Sequence, residues 1–568
     1  MKGNVIWLSA KDAFAASIMA RAAWVYQSLL LLFMFGVTCC LGACVPSQSM
    51  DTPSPLATSS SGASVGSTQT PFQPISVTET PDILRVWVSP ALPAALRTPL
   101  ETLSQRGLLN ITENSADANV RVEPHGASKL SEWVYVLVAP FPTVRDGMES
   151  QELLQTWGGS GSVYVSAETR AAIEALIGPA SEAVIVEDEQ DSLLELVWEK
   201  RSGFAIVPFE VLEPRWKVLA VDGMSPVHKS FERERYALTL PFGLSGDPTA
   251  VERLRGHLDW PESNRDEQRM TVVVMTGTTA LTRTVTSKME IYGMNYPGEK
   301  VGAWLRDADI THISHEVAFS ETCPTPDPYQ ANLLFCASPR HQALLEYVGA
   351  DVIEVTGNHI LDWGAEAFLS TLSGYRALGW GTYGGGVNLD DAQHPYLLEH
   401  NGNSFAFFGC NSVGPSRAWA TDTMPGAAPC DLEMVSQELE LLREQGVITI
   451  FTFQWAEGGV VMPTQKSAFH EVADAGAVIV SGSQAHQPLG IEFYHGGFIH
   501  YGLGNLFFDQ MQTIANRQEF IDRHVFYDGK HISTELLTAF LEDYAQPRPM
   551  TTVERSEFLT AIFQDSGW

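Results

Sequence analysis

The stretch Val355-Thr356-Gly357-Asn358-His359-Ile360-Leu361-Asp362 decides how this chain is read. The run from Asp351 to Val355 alternates like a buried strand, and Ala365 to Leu378 carries a helical pattern. Asn358, His359 and Asp362 therefore fall on a strand-to-helix turn, the place where open α/β sheets bind ligands. A second cluster, Ser481-Gly482-Ser483-Gln484-Ala485-His486, follows the apolar run Ala477 to Val480 in the same way, and His500-Tyr501-Gly502-Leu503-Gly504-Asn505 closes the series. Three polar clusters at three strand ends predict one composite site in an α/β protein.

Working outward, 568 residues at 45% apolar composition supply enough material for two cores, so two domains are expected. The formal net charge of −32 excludes a nucleic-acid surface, which needs Lys and Arg in excess. A polyanionic ligand would need a local basic patch. Residues 22 to 43 are almost wholly apolar, follow Lys2, Lys11 and Arg21, and end in Leu41-Gly42-Ala43-Cys44. This resembles a bacterial lipoprotein signal, whose cleavage leaves Cys44 as a lipidated N-terminus tethered to the membrane; the alternative is a single N-terminal transmembrane anchor. Both place the bulk of the protein outside the cytoplasm. The Ser, Thr and Pro of residues 45 to 81 then predict a stalk without a core.

Beyond Cys44 there are four cysteines, Cys323, Cys336, Cys410 and Cys430, with no Cys-x-x-Cys spacing for zinc. In an oxidising compartment disulfides are the default. Sequence does not fix their connectivity; the local pairs Cys323–Cys336 and Cys410–Cys430 are simplest, each worth about 3 kcal/mol, and four buried thiols are the alternative.

Residues 82–240 read as a smaller α/β domain, with strands at Leu84 to Val88, Val134 to Val138 and Phe204 to Val207 and a helix at Ala94 to Gln105. Segments 138 to 143, 152 to 157 and 203 to 208 resemble the hinge and lobe segments of type 2 periplasmic substrate-binding proteins. The Gly- and Pro-containing stretch 241–270 is expected to be a linker. A second α/β domain starts at Thr271-Val272-Val273-Val274-Met275 and runs to 512, and 513–568 forms a C-terminal extension whose 535 to 542 segment reads as helix or strand. No solenoid repeat, P-loop or dinucleotide fingerprint is present.

Six motifs in order carry a more specific resemblance: Gly277-Thr278, Ser314-His315-Glu316, Gly357-Asn358-His359 with Asp362 and Gly364, Gln454-Trp455-Ala456-Glu457, Gly482-Ser483-Gln484-Ala485-His486, and Tyr501-Gly502-Leu503-Gly504-Asn505-Leu506. In that order they resemble the CapA family of capsule and poly-γ-glutamate synthesis proteins, which implies a sandwich of the calcineurin-like metallophosphatase type. The resemblance implies a site made of Glu316, His359 and His486 as reacting groups, with Asn358, Asp362, Gln454, Glu457, Gln484, Asn505 and Arg283 contacting substrate. Glu457 and Arg283 are equally readable as salt-bridge partners, Asp362 as a helix cap, and Asn358 as a turn pin.

The departures bear on mechanism. Two-metal phosphoesterases need carboxylates and imidazoles around both cations, yet Thr278 replaces the family's aspartate, and Gln454 and Gln484 replace histidines. Neutral hydroxyl and carboxamide oxygens are weak ligands for transition metals. Glu316, Asn358, His359 and His486 remain for one Mn, Fe or Zn ion at most, or for none, with His312, His315 or His500 as helpers. On an alternating strand His312 and His315 point to opposite faces. Trp363, Trp380 and Trp455 either floor a sugar or peptide site or pack in a core, and Asp522, Arg523 and His524 either reach the site or form a salt-bridge cluster. Three functions stay open: a tethered envelope protein that binds an anionic polymer or its precursor beside a polymer synthase; a metal-dependent hydrolase of phosphoesters or γ-glutamyl amides; and a solute-binding or sensor lipoprotein.

Overall fold

Short apolar runs between Leu84 and Gly246 build a nine-stranded mixed sheet around one long strand, Ser128–Pro140, whose first half pairs with Thr239–Gly246 and whose second half pairs with Phe204–Pro208 and Trp216–Val218. The computed structural model describes residues 83–568, apart from 160 and 189, and places them in one unit. The signal, Cys44 and stalk expectations lie outside these residues. Within 241–270, read above as a linker, the chain instead completes strand Thr239–Gly246 and forms helix Pro248–Arg255. Leu240, Phe242 and Leu244 alternate into the core, a period-two pattern masked in sequence by Pro241, Gly243 and Gly246. Asp247 starts the helix by accepting the Ala250 N–H at 2.9 Å.

The remaining chain is a four-layer sandwich. One sheet runs in the order Gly381–Tyr383, Val352–Glu354, Ile310–His315, Met270–Thr276, Gln518–Tyr527, Lys530–Glu542, Gln546–Pro549. The other runs Tyr396–His400, Asn403–Asn411, Ile448–Gln454, Ile479–Ser483, Gly497–His500, Ile491–Tyr494. Alternation assigns the faces: Val273, Met275, Phe407, Ile448 and Ile450 meet between the sheets, while Val274 and Ile353 face helices Arg283–Tyr292 and Gly364–Ala377. Phe451 and Phe453 face helices Leu432–Glu444 and Pro463–Ala475. Fully burying each such side chain contributes roughly 1.5–3 kcal/mol.

The segment beyond 512 is no appendage. Gln518–Tyr527 pairs antiparallel with the central strand, Val273 opposite His524, and the 535 to 542 segment is strand, part of Lys530–Glu542. Val525, Tyr527 and Ile532 also pack with Met270 and Val272 into the core of the N-terminal sheet, so one strand pair serves both bodies. Among the described residues no helix is long and apolar enough to cross a membrane.

Candidate functional site

Parallel strands within each sandwich sheet end on a common edge, and the turns leaving them carry the polar side chains. A Cβ at Gly357 would lie 2.3 Å from Glu316 Cβ and 2.5 Å from its Cα. Only glycine lets this turn close against the end of Ile310–His315, and the contact brings the Glu316 charge to bear on His359. From the opposite sheet come Gln454, at the end of Ile448–Gln454, and Gln484, just past Ile479–Ser483. Gln454 Nε2 donates to Asn358 Oδ1 at 3.2 Å and to Gln484 Oε1. Ser483 Oγ donates to Gln454 Oε1 at 3.0 Å, and the Gln484 N–H donates to Thr278 Oγ1 at 2.9 Å. A carboxamide bridge thus ties the two sheets together at the site.

Two imidazoles flank the bridge, each backed by a phenyl ring. His359 Nδ1 is bonded to Asp362 Oδ2 at 2.5 Å, and its ring lies 4.3 Å from Phe335. His486 Nδ1 is bonded to Asn505 Oδ1 at 2.8 Å, and its ring stacks on Phe508 at 4.9 Å. The Arg283 guanidinium covers both phenyl rings, 4.8 Å from Phe335 and 5.2 Å from Phe508, and pairs with Asp509. Arg283, Gln484 and His486 all adopt left-handed backbone, φ 44°, 69° and 54°. Such conformations cost non-glycine residues about 1–3 kcal/mol each and concentrate at functional sites.

Asp362 is spent within the protein, with its side chain 1% exposed, bonded to His359 and accepting the Phe335 N–H at 3.0 Å. It does not cap the following helix, whose N-cap is Trp363 without a side-chain bond. Asn505 is fully buried behind His486, and Glu457 stands exposed on the rim, 3.9 Å from His486 Nε2. Cys323–Cys336 and Cys410–Cys430 are both disulfides. The first precedes and follows the loop that delivers Phe335.

Burial pushes the His359 imidazole towards neutrality, but the Asp362 bond and the negative charges of Glu316 and Asp362 outweigh it and raise its pKa above the ordinary value. Glu316 is 2% exposed, and neither of its carboxylate oxygens has a hydrogen-bond partner.

Some residues did not join the site. His312 and His315 do point to opposite faces: His312 Nε2 is bonded to Tyr383 at 2.8 Å, and His315 Nδ1 to Tyr375 at 2.7 Å beneath a helix, where burial lowers its pKa to about 3. His500 is bonded to Asp522 at 2.6 Å between the sheets, His524 to Thr534 at 2.9 Å, and Arg523 to Asp307 at 2.9 Å. Trp455 packs on Phe453 and Phe469, Trp380 on Tyr375, and Trp363 Nε1 donates to Thr322 Oγ1.

Sequence reasoning missed Phe335, Phe508, Asp509 and Glu354. Glu354 is 1% exposed, accepts from Thr356 Oγ1 at 2.5 Å, and lies 3.1 Å from Ser483 Oγ and 3.5 Å from His312. Burial alone would raise its pKa, but His312, Thr356 and Ser314 hold it below the ordinary carboxylate value. Its signal was visible as the single carboxylate in the apolar strand Val352–Glu354.

The donor set does not fit a two-metal centre. Among the described residues no three His, Cys, Asp or Glu side chains converge as a metal-binding group. One nitrogen of each site imidazole is already bonded, and the oxygens of Asn358 and Gln484 are taken by Gln454. Among the described residues of the site, Glu316 is a buried carboxylate with both oxygens unspent.

Residues 272–510 match the family model described as bacterial capsule synthesis protein PGA_cap. Similar proteins include a capsule biosynthesis protein CapA of Bacillus anthracis, 23% identical over 300 residues that cover 51% of this chain and 72% of that one. A PGA biosynthesis protein CapA of Bacillus subtilis is 26% identical over 189 residues, covering 33% and 50%. A probable polyglutamine synthesis accessory protein of Mycobacterium tuberculosis is 26% identical over 182 residues, covering 30% and 48%. The chain thus spans about half the length of the latter two. Among solved structures, a 5'-nucleotidase precursor from Thermus thermophilus (12% identity, 52% of this chain and 58% of that one, TM-score 0.31) and a phosphate transport receptor from Vibrio cholerae (11%, 30% and 91%, TM-score 0.26) are similar at a level that carries no argument about function.

Proposed function

Because residues 272–510 belong to the bacterial capsule synthesis protein family, we propose that this chain serves capsule or poly-glutamate synthesis outside the cytoplasm. A lipid on Cys44 tethers it, and its edge site binds the anionic polymer or its precursor beside a polymer synthase. One observation supports this reading. The carboxamide bridge turns every shared oxygen inward and leaves Asn358 Nδ2, Gln484 Nε2 and His359 Nε2 without a protein partner among the described residues, next to Glu316 with two unspent acceptor oxygens. Donors of this kind take a carboxylate, and a buried carboxylate takes an amide N–H. A γ-glutamyl repeat offers one of each. Calorimetric titration of the soluble chain with a γ-glutamyl decamer tests it: micromolar binding is expected, weakened about tenfold by Gln484→Ala, the worth of one charge-assisted hydrogen bond. Binding unaffected by Gln484→Ala would sink the reading.

The unspent Glu316 beside a protonatable His359 also supports a second reading, hydrolysis of a γ-glutamyl amide. Glu316 would take a proton from the attacking water, and His359 Nε2–H would give one to the departing amine. A single Mn, Fe or Zn ion, if bound, would be held by Glu316, His359 and His486 and would supply Lewis-acid chemistry in place of the His359 proton. Elemental analysis beside Glu316→Gln and His486→Ala separates the readings: an equivalent of metal lost in both variants favours the hydrolase.

A further inference from the structure

The charges around the edge site do not cancel. Asp509 is paired with Arg283, and Asp362 is bonded to His359 with Arg417 at 3.9 Å. Two carboxylates remain. Glu316 is buried, both of its oxygens lack a partner, and no cation pairs with it among the described residues. Val317, the next residue, packs with Phe335 and Phe508, the rings behind His359 and His486, so Glu316 belongs with the two imidazoles. Glu457 is exposed on the rim and, among the described residues, reaches only His486 Nε2, at 3.9 Å. His486 adds a third acceptor. Asn505 Nδ2 donates to Asn516 O at 3.2 Å and faces His486 O at 3.5 Å, so Asn505 Oδ1 is the atom that accepts from His486 Nδ1–H. The neutral imidazole then presents a bare Nε2 lone pair. Against these acceptors the site sets the uncharged amide N–H groups of Asn358 and Gln484.

A buried carboxylate is costly to hold unless a cation and hydrogen bonds answer it. An amide N–H brings one donor and no charge, whereas an ammonium brings three donors and the charge. A γ-linked glutamate chain carries its one free ammonium on the amino-terminal residue, beside that residue's α-carboxylate. We propose that the edge site recognises the amino-terminal residue of a γ-glutamyl chain: Glu316, His486 Nε2 and, from the rim, Glu457 hold its ammonium, and the amide N–H groups of Asn358 and Gln484 hold its α-carboxylate. This rests on the reading that the site binds a γ-glutamyl polymer, and it adds which part of the polymer enters. Hydrogen bonds to an ammonium, about 2.8 Å long, need a wider cage than metal bonds of about 2.1 Å, in keeping with acceptors that do not converge as a metal-binding group among the described residues. Recognition of an end also suits a chain of net charge −32. The entering residue brings its own cation, and the rest of the polyanion stays in solvent, where salt screens the repulsion.

The test is calorimetric titration of the whole soluble chain, freed of metal by a chelator, with a γ-glutamyl decamer bearing a free amino end and with the same decamer N-acetylated. Acetylation is expected to weaken binding about tenfold or more, the worth of one charge-assisted hydrogen bond. Glu316→Gln, which keeps the shape and removes the charge, is expected to bind both decamers alike. The first comparison needs no substitution, so it stands whatever Glu316→Gln does to folding. Equal binding of the two decamers by the unaltered protein overturns end recognition and leaves the polymer reading standing. No binding of either overturns both. A preference for the free end that survives in Glu316→Gln overturns the assignment of the ammonium to Glu316. So does a preference that appears only when Mn or Zn is restored, since the carboxylate then serves the metal.

Discussion

His359 and His486 sit at the sandwich edge, each with one ring nitrogen bonded and the other turned towards the site, whereas His500, His524 and His531 are sealed between the two sheets. Both regions combine imidazoles with carboxylates. In the interior, burial drives His531 to about 3 and His524 well below its ordinary value, further lowered by its histidine neighbours, so His524 and His531 are neutral packing units. At the edge, the Asp362 bond and the Glu316 charge push His359 the other way. The same residue types therefore become scaffold or site according to whether a neighbouring charge outweighs desolvation and whether an unspent atom faces a turn.

The largest expected effect tests the sealed side. Asp522→Ala leaves His500 buried without its partner and should cost about 3–5 kcal/mol by urea unfolding at pH 7, against about 1 kcal/mol for Asp362→Ala at the edge. Equal losses would erase the distinction. Next, replacing both Cys323 and Cys336 by serine opens the loop that supplies Phe335 and should cost about 3 kcal/mol; the same assay with Cys410 and Cys430 replaced shows whether the edge depends more on one bridge.

Glu519 sharpens the comparison. It is fully buried, neither oxygen has a partner, and burial raises its pKa well above the ordinary value. The folded state therefore holds its proton more tightly than the unfolded one, and stability falls as pH rises above the unfolded value of about 4.3. Glu519→Gln should gain about 1–2 kcal/mol at pH 7.5 and nothing at pH 4, read from paired unfolding curves. The smallest effect belongs to His359. Its folded pKa is raised, so its contribution is complete below the unfolded value of about 6.5 and is lost as pH rises through the folded value. Asp362→Asn should lower that pKa in an NMR titration and remove about 1 kcal/mol at pH 5.5 but none at pH 8.5; an unmoved pKa would assign the shift to Glu316 alone.

Much of the edge was legible because it is local. Asn358, His359 and Asp362 lie within five residues, and the strand before them and the helix after them have clear periods, observed as Val352–Glu354 and Gly364–Ala377. Both disulfides join near neighbours in sequence. Phe335, Phe508 and Asp509 were not legible as site residues, since a phenyl ring in a loop gives no sign that it will support an imidazole 24 positions away, as Phe335 does for His359. The strand within 241–270 escaped for another reason: Pro241 and Gly243 read as turn residues although they alternate with core positions Leu240, Phe242 and Leu244.

By itself the sequence determined the α/β class, the order of strand ends that carry polar clusters, the disulfide pairs as the simplest choice, and the neutral side chains at Thr278, Gln454 and Gln484. These depend on short-range periodicity and on residue chemistry. Only the tertiary structure decided that Gln454 bridges Asn358 and Gln484, that Glu316 is buried with both oxygens unspent, that His500 and Asp522 close on each other instead of on the site, and that strands beyond 512 complete the central sheet. Each of these is a contact between segments tens to hundreds of residues apart, set by which sheet faces bury together, and no local pattern encodes it.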